Sequence, residues 1–120
     1  MQSIDKTEIL GHTTLAMAFS LIMGERCRQV EKGYDASHDK EHRSGELCQA
    51  GAAMAIRAQA ISHHQPCCEL GDRMWPWKDG LPKRRSSTND LIIAASLLVA
   101  ELERRLEDDD LQSVDPELYM

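Results

Sequence analysis

The sequence predicts an all-α protein of three long helices in a bundle, with a long Trp- and Pro-containing loop between the second and third. Three observations carry that expectation. All four prolines (Pro66, Pro76, Pro82 and Pro116) stand at or after position 66, so nothing in the first 65 residues interrupts a helix through a ring-locked φ or a missing amide hydrogen. Apolar residues recur at helical spacing in three separate segments. No stretch alternates polar and apolar residues with the period of two that a half-buried strand requires.

The first helix is predicted over about residues 5–32. Asp5-Lys6-Thr7-Glu8 reads as a capping box, with Asp5 at the N-cap and Glu8 reaching back to it. Leu15, Ala18, Phe19 and Ile22 then follow at helical spacing, and Gly33 is a natural stop. Tyr34-Asp35-Ala36-Ser37 is a short connection with two candidate N-caps, Asp35 and Ser37. A second helix is predicted from His38 to Ile61, with Leu47, Ala50, Met54, Ala58 and Ile61 as its apolar stripe and a bend or restart near Ser44-Gly45.

Residues 62–86 change character and read as a loop of about 25 residues, a length that in compact domains marks function or disorder. Trp75 and Trp77 favour docking onto the domain. Ser87 reads as the cap of a third helix over about residues 88–107, with Leu91, Ala95, Leu98, Leu102 and Leu106 along one stripe. The nearly unbroken apolar segment 91–100 predicts a homodimer that completes the bundle. Residues 1–107 thus form one helical domain, followed by an acidic tail, 108–120, whose composition predicts disorder.

Composition narrows the functional classes. Six of the 20 acids lie after Leu106, where there is no base, so the remainder of the chain balances its 14 bases. A neutral body argues against duplex nucleic acid as a partner, because such binding rests on a surplus of positive charge. The longest apolar run, Leu15 to Met23, is about half a membrane span. Asp5 and Glu8 precede it where an export signal carries positive charge. Cys27, Cys48, Cys67 and Cys68 form no Cys-x-x-Cys pair, and reduced thiols predict a cytoplasmic protein without a membrane association.

The segment from Tyr34 to Leu47 carries the densest chemistry. On a helix His42 lies about 40°, Glu46 about 80° and Gln49 about 20° from His38, while Ala50, Met54 and Leu47 lie about 120–180° away. Two histidines one turn apart, with a carboxylate a turn further on, suit a divalent metal; the alternative is a solvated polar face. Asp39 stands at the same end. Glu25, Arg26, Arg28 and Gln29 cluster near the end of the first helix, and an antiparallel pairing of the first two helices would bring Glu25 and Gln29 near His38 and His42. Asp90 is a further metal candidate or a helix-capping acid. The run Lys83-Arg84-Arg85 could neutralise phosphate oxygens, or simply face solvent. His63, His64, Cys67 and Cys68 match no familiar zinc spacing.

Taken together, Glu25-Arg26-x-Arg28-Gln29, Gly33-Tyr34-Asp35-x-x-His38-Asp39-x-x-His42, Gly45-Glu46-Leu47-x-x-Ala50, Trp75-Pro76-Trp77 and Asp90-Leu91 resemble a group of small phage and prophage proteins. The resemblance covers about residues 24–106. More distantly, Gly45-Glu46-Leu47 and Asp90-Leu91-Ile92 are similar to parts of the MazG-like all-α nucleotide pyrophosphatases, in which carboxylates hold Mg²⁺ against a triphosphate and water attacks. Arg43 and Ser87 stand where that pattern has glutamates, so His38, Asp39, His42 and Glu25 substitute for them or the fold persists without hydrolysis. His12, His38-Asp39 and Asp90 bear a weaker similarity to the spacing of HD-type phosphohydrolases.

These resemblances imply a phage-type protein that binds a nucleotide or similar phosphorylated small molecule and hydrolyses it as a pyrophosphohydrolase with Mg²⁺ or Mn²⁺. The catalytic candidates are Glu25, Asp39 and Glu46. Arg26, Arg28, Gln29, Trp75, Trp77, Arg84 and Arg85 are the substrate-binding candidates, and His38, His42, Glu46 and Asp90 the metal ligands. The alternative is a non-catalytic protein that sequesters a ligand or a partner through its Trp loop. A site requires these residues to converge in one pocket; the alternative leaves them scattered.

Overall fold

The computed structural model describes residues 13–33, 44–60, 66–108 and 114–118, and these contain helices and turns but no strand. Among the described residues there are four α-helices, one more than the three long helices expected: α1 (Thr13–Glu31), α2 (Glu46–Ala58), α3 (Pro66–Met74) and α4 (Ser87–Glu107). A short 3-10 turn, Pro116–Leu118, follows in the tail.

The long α4 is the axis of the fold. Gly51 meets Ala94 and Leu98, and six residues on Arg57 meets Asp90, so α2 runs antiparallel to α4. Ile22 lies against Ser96 and Arg26 against Glu103, so α1 runs parallel to it. The first two helices therefore have opposite directions, as expected, but among the described residues each packs on α4 rather than on the other.

The core lies where α2 crosses α4 and consists of Leu47, Ala50, Met54, Ile93, Ala94, Leu97 and Ala100. Its small residues let the two backbones approach closely, and Met54, fully buried, fills the remaining space. Of the stripe expected on α2, Leu47, Ala50 and Met54 are buried, Ala58 is half-buried and Ile61 lies outside the described residues. On α4 the expectation fails: Leu91, Leu98, Leu102 and Leu106 are exposed, at 43–58%, and the core is filled from the adjoining face by Ile93, Ala94, Leu97 and Ala100. An apolar-all-round helix offers several equivalent stripes, and only the partner helices decide among them.

The helix α3 occupies part of the stretch expected to be a loop. Pro66 begins it instead of ending its predecessor, since a proline at the first helical position gives up no hydrogen bond. α3 lies so close to α2 that a Cβ on Gly71 would come within 2.6 Å of the Ala53 carbonyl oxygen and 2.8 Å of Arg57 Cβ. The cap of α4 is Ser86, one residue earlier than expected: its backbone is extended, and its hydroxyl accepts the Asn89 amide hydrogen at 3.0 Å. α2 begins at Glu46, after a left-handed Gly45 with φ of 90°, which agrees with the restart expected there. The capping box at 5–8, the 34–43 segment and His63-His64 lie outside the described residues.

Candidate functional site

A cavity of about 490 Å³ opens between α1, α4 and the loop that follows α3. That volume lies in the range that holds a drug-sized or nucleoside-sized ligand. Ile93, Leu97 and Ala100 of α4 form an apolar floor, continued by Leu47 from the first turn of α2. One wall is Glu25, Arg26, Arg28 and Gln29 of α1. The other is the loop segment 75–82, which presents Trp75, Trp77, Lys78, Asp79, Gly80 and Pro82.

The α1 wall is a connected polar chain. Arg26 is buried; its Nε–H donates to Glu103 Oε1 on α4 at 2.5 Å, and its Nη1–H to Gln29 Oε1 at 3.3 Å. The Gln29 amide donates in turn to Glu25 Oε2 at 3.2 Å. Arg28 closes the chain as a two-pronged donor, Nε–H to Glu25 Oε1 at 2.7 Å and Nη2–H to Oε2 at 2.6 Å. The two ends differ in exposure: the Glu25 side chain is 13% exposed and the Arg28 side chain 48%. Burial pushes the Glu25 carboxyl up, but the hydrogen bonds from Arg28 and Gln29 outweigh it and hold the group below the ordinary carboxylate value, hence ionised at neutral pH.

The Trp wall is fastened at both ends. The Gln49 amide donates to the Met74 carbonyl at 2.7 Å, and Arg57 Nη2–H donates to the Pro82 carbonyl at 2.8 Å. Inside the loop the Trp75 indole donates to the Asp79 carbonyl at 3.1 Å. Trp75 and Trp77 meet edge to face, with ring centroids 5.2 Å apart and planes at 77°, and both rest against the core.

Six of the residues singled out from the sequence thus meet in this cavity: Glu25, Arg26, Arg28, Gln29, Trp75 and Trp77. Glu46, half-buried, precedes the cavity-lining Leu47 in the chain and is not itself a lining residue. Three others lie elsewhere. Arg84 donates to the carbonyls of Arg57 and Ala60, capping the C-terminal end of α2, and comes within 3.9 Å of Asp90. Arg85 is exposed and does not line the cavity. Asp90 is completely buried, and both its oxygens accept from Arg57, at 3.1 and 2.9 Å. His38, Asp39 and His42 lie outside the described residues.

Two of the expected metal ligands, Glu46 and Asp90, stand at different levels along α2. Glu46 begins α2, whereas Asp90 sits on Arg57, eleven residues further along it, or about 16 Å along the axis. The Asp90 carboxylate is already engaged by Arg57. No three His, Cys, Asp or Glu side chains among the described residues gather where a metal ion could be held.

Arg57 is the residue that the sequence analysis missed. It ties α2 to Asp90 of α4, to Asp72 of α3 at 3.2 Å and to Pro82 of the cavity wall. Burial opposes its charge, but the hydrogen bonds it donates to Asp90 and Asp72 prevail and raise its pKa further. One signal was present: Leu47, Ala50, Met54 and Arg57 share an arc of about 80°, so this arginine had to be buried and had to find an acid. No family model, curated protein or solved structure matches the chain.

Proposed function

We propose that the cavity binds a nucleotide or a similar phosphorylated small molecule. The observation that carries this reading is the convergence of Glu25, Arg26, Arg28 and Gln29 with Trp75 and Trp77, some fifty residues away in sequence, around one apolar floor. The indoles supply faces on which a base stacks, the α1 wall supplies hydrogen bonds, and the exposed Lys78 offers a cation at the rim. Most of the contacts that hold both walls are made within the protein itself, so little ordering is left for binding to impose.

The finer form of the proposal is hydrolysis. A phage-type pyrophosphohydrolase using Mg²⁺ or Mn²⁺ would draw on Glu25, Asp39 and Glu46 as carboxylates and on His38 and His42 as ligands. The proposal also takes the chain as a cytoplasmic homodimer, on the strength of its four free thiols and of the apolar strip that Leu91, Leu98, Leu102 and Leu106 expose along α4. No described helix is long and apolar enough to cross a membrane.

Thermal-shift titration with nucleoside mono- and triphosphates, with and without Mg²⁺ or Mn²⁺, tests binding; release of phosphate or pyrophosphate tests hydrolysis. Stabilisation by nucleotide that is lost in Trp77→Ala supports the site. Stabilisation by none of them rejects it. Glu46→Gln and His42→Ala abolish product release without abolishing binding if the hydrolytic form holds.

A further inference from the structure

Resting on the nucleotide reading of the cavity, the geometry points to guanine as the base it selects, and we propose that the Arg28 side chain occupies the place of that base in the free protein. Arg28 presents to Glu25 two parallel N–H donors carried on one planar carbon with three nitrogens, at 2.7 and 2.6 Å. Guanine carries the same unit on its edge: N1–H and the exocyclic N2–H point the same way from C2. An ionised carboxylate only accepts hydrogen bonds, and a two-pronged donor is its best complement. Adenine and cytosine each set a donor beside an acceptor, and hypoxanthine has N1–H without the amino group. Each of them places a lone pair, or nothing, against one oxygen of Glu25.

The surroundings of the fork suit such an exchange. Arg28 is the exposed partner and can swing away, whereas Glu25 is fixed from behind by Gln29, Arg26 and the Glu103 carboxylate on α4. The carboxylate therefore keeps its place when the fork opens. Trp75 and Trp77, across the same cavity, supply the stacking face. Once released, the guanidinium is free to meet the phosphate of the incoming nucleotide.

Calorimetric titration of the full chain with GMP, IMP and AMP tests the assignment, because IMP differs from GMP only in the missing amino group. GMP should bind at least tenfold more tightly than IMP, and AMP no better than IMP. In Glu25→Gln, with folding checked by circular dichroism, GMP should fall to the IMP level. In Arg28→Ala, which removes the competing donor and serves also if Glu25→Gln does not fold, the GMP-to-IMP ratio should equal or exceed the parent's. Equal binding of all three nucleotides would overturn the guanine assignment and leave the nucleotide pocket standing. Binding of none would overturn both. A ratio that collapses to one in Arg28→Ala would contradict the exchange, since Arg28 and not Glu25 would then be the group that selects.

Discussion

Of the three arginine–carboxylate forks among the described residues, the third being Arg104 on Glu101, two stand in opposite circumstances. In the first, Arg57 grips Asp90 from thirty-three residues away; Asp90 is fully buried, and the same guanidinium also holds α3 and the end of the Trp loop. In the second, Arg28 grips Glu25 three residues away on one helix, at the lip of a cavity, with the guanidinium half in solvent and the carboxylate largely covered. Charge, planarity and the two-pronged pattern are shared; sequence separation and burial differ. A buried long-range fork cannot open without stranding a charge, so it acts as scaffold. A local fork at a cavity can open into water at little cost, so it is available to a ligand.

The largest expected effect lies at the scaffold fork. Arg57→Ala leaves Asp90 buried without its partner and should remove about 3–5 kcal/mol of stability in a urea titration. Replacing both, as Arg57→Met with Asp90→Leu, should recover much of it. A loss under about 1 kcal/mol for the single change would erase the contrast between the forks. Next comes Gly71→Ala. Its Cβ would press on the backbone of α2, and the overpacking should cost about 1–3 kcal/mol and lower the melting temperature. An unchanged melting temperature would show that α3 does not bear on α2 so closely.

Acid offers a sharper comparison. The hydrogen bond from Arg104 lowers the Glu101 pKa; burial opposes this and Arg105 adds to it. Glu25 is lowered as well. A carboxylate with a depressed folded pKa binds its proton more readily when unfolded. Its contribution is therefore complete above the ordinary value of 4.5 and is lost as pH falls below it, through the depressed folded value. Urea midpoints should decline in that window, and the decline should be shallower in Glu101→Gln. The smallest effect is expected at the second fork: Arg28→Ala should change stability by no more than about 0.5 kcal/mol, while it changes nucleotide binding. A loss comparable to that of Arg57→Ala would make both forks scaffold.

The sequence reveals the helical class and the wall residues because both rest on local signals. Spacing discloses Leu47, Ala50 and Met54; the density of charge and amide at residues 25–29, and two tryptophans in a proline-containing segment, disclose the walls. What it hides depends on packing across distance. Pro66 serves equally well to end one helix or to begin another. Leu91 and Leu98 have the same helical credentials as Ile93 and Leu97, and only the approach of α1 and α2 to α4 decides which pair is buried. Arg57 passes for a surface arginine until Asp90 and Asp72, in later helices, are seen to enclose it. The histidines that carry the metal expectation lie outside the described residues.

The central claim is that the α1 wall and the Trp loop enclose a nucleotide-binding cavity, and the two indoles make it directly measurable. The protein has only two tryptophans, and both line the cavity. In a heteronuclear NMR titration of the full chain with guanine nucleotide, both indole N–H signals should move in a saturable manner, together with the Arg28 Nε–H signal, while the Arg57 Nε–H signal stays in place. Indole signals that stay unmoved at millimolar nucleotide, or an Arg57 signal that moves in their stead, would contradict the account.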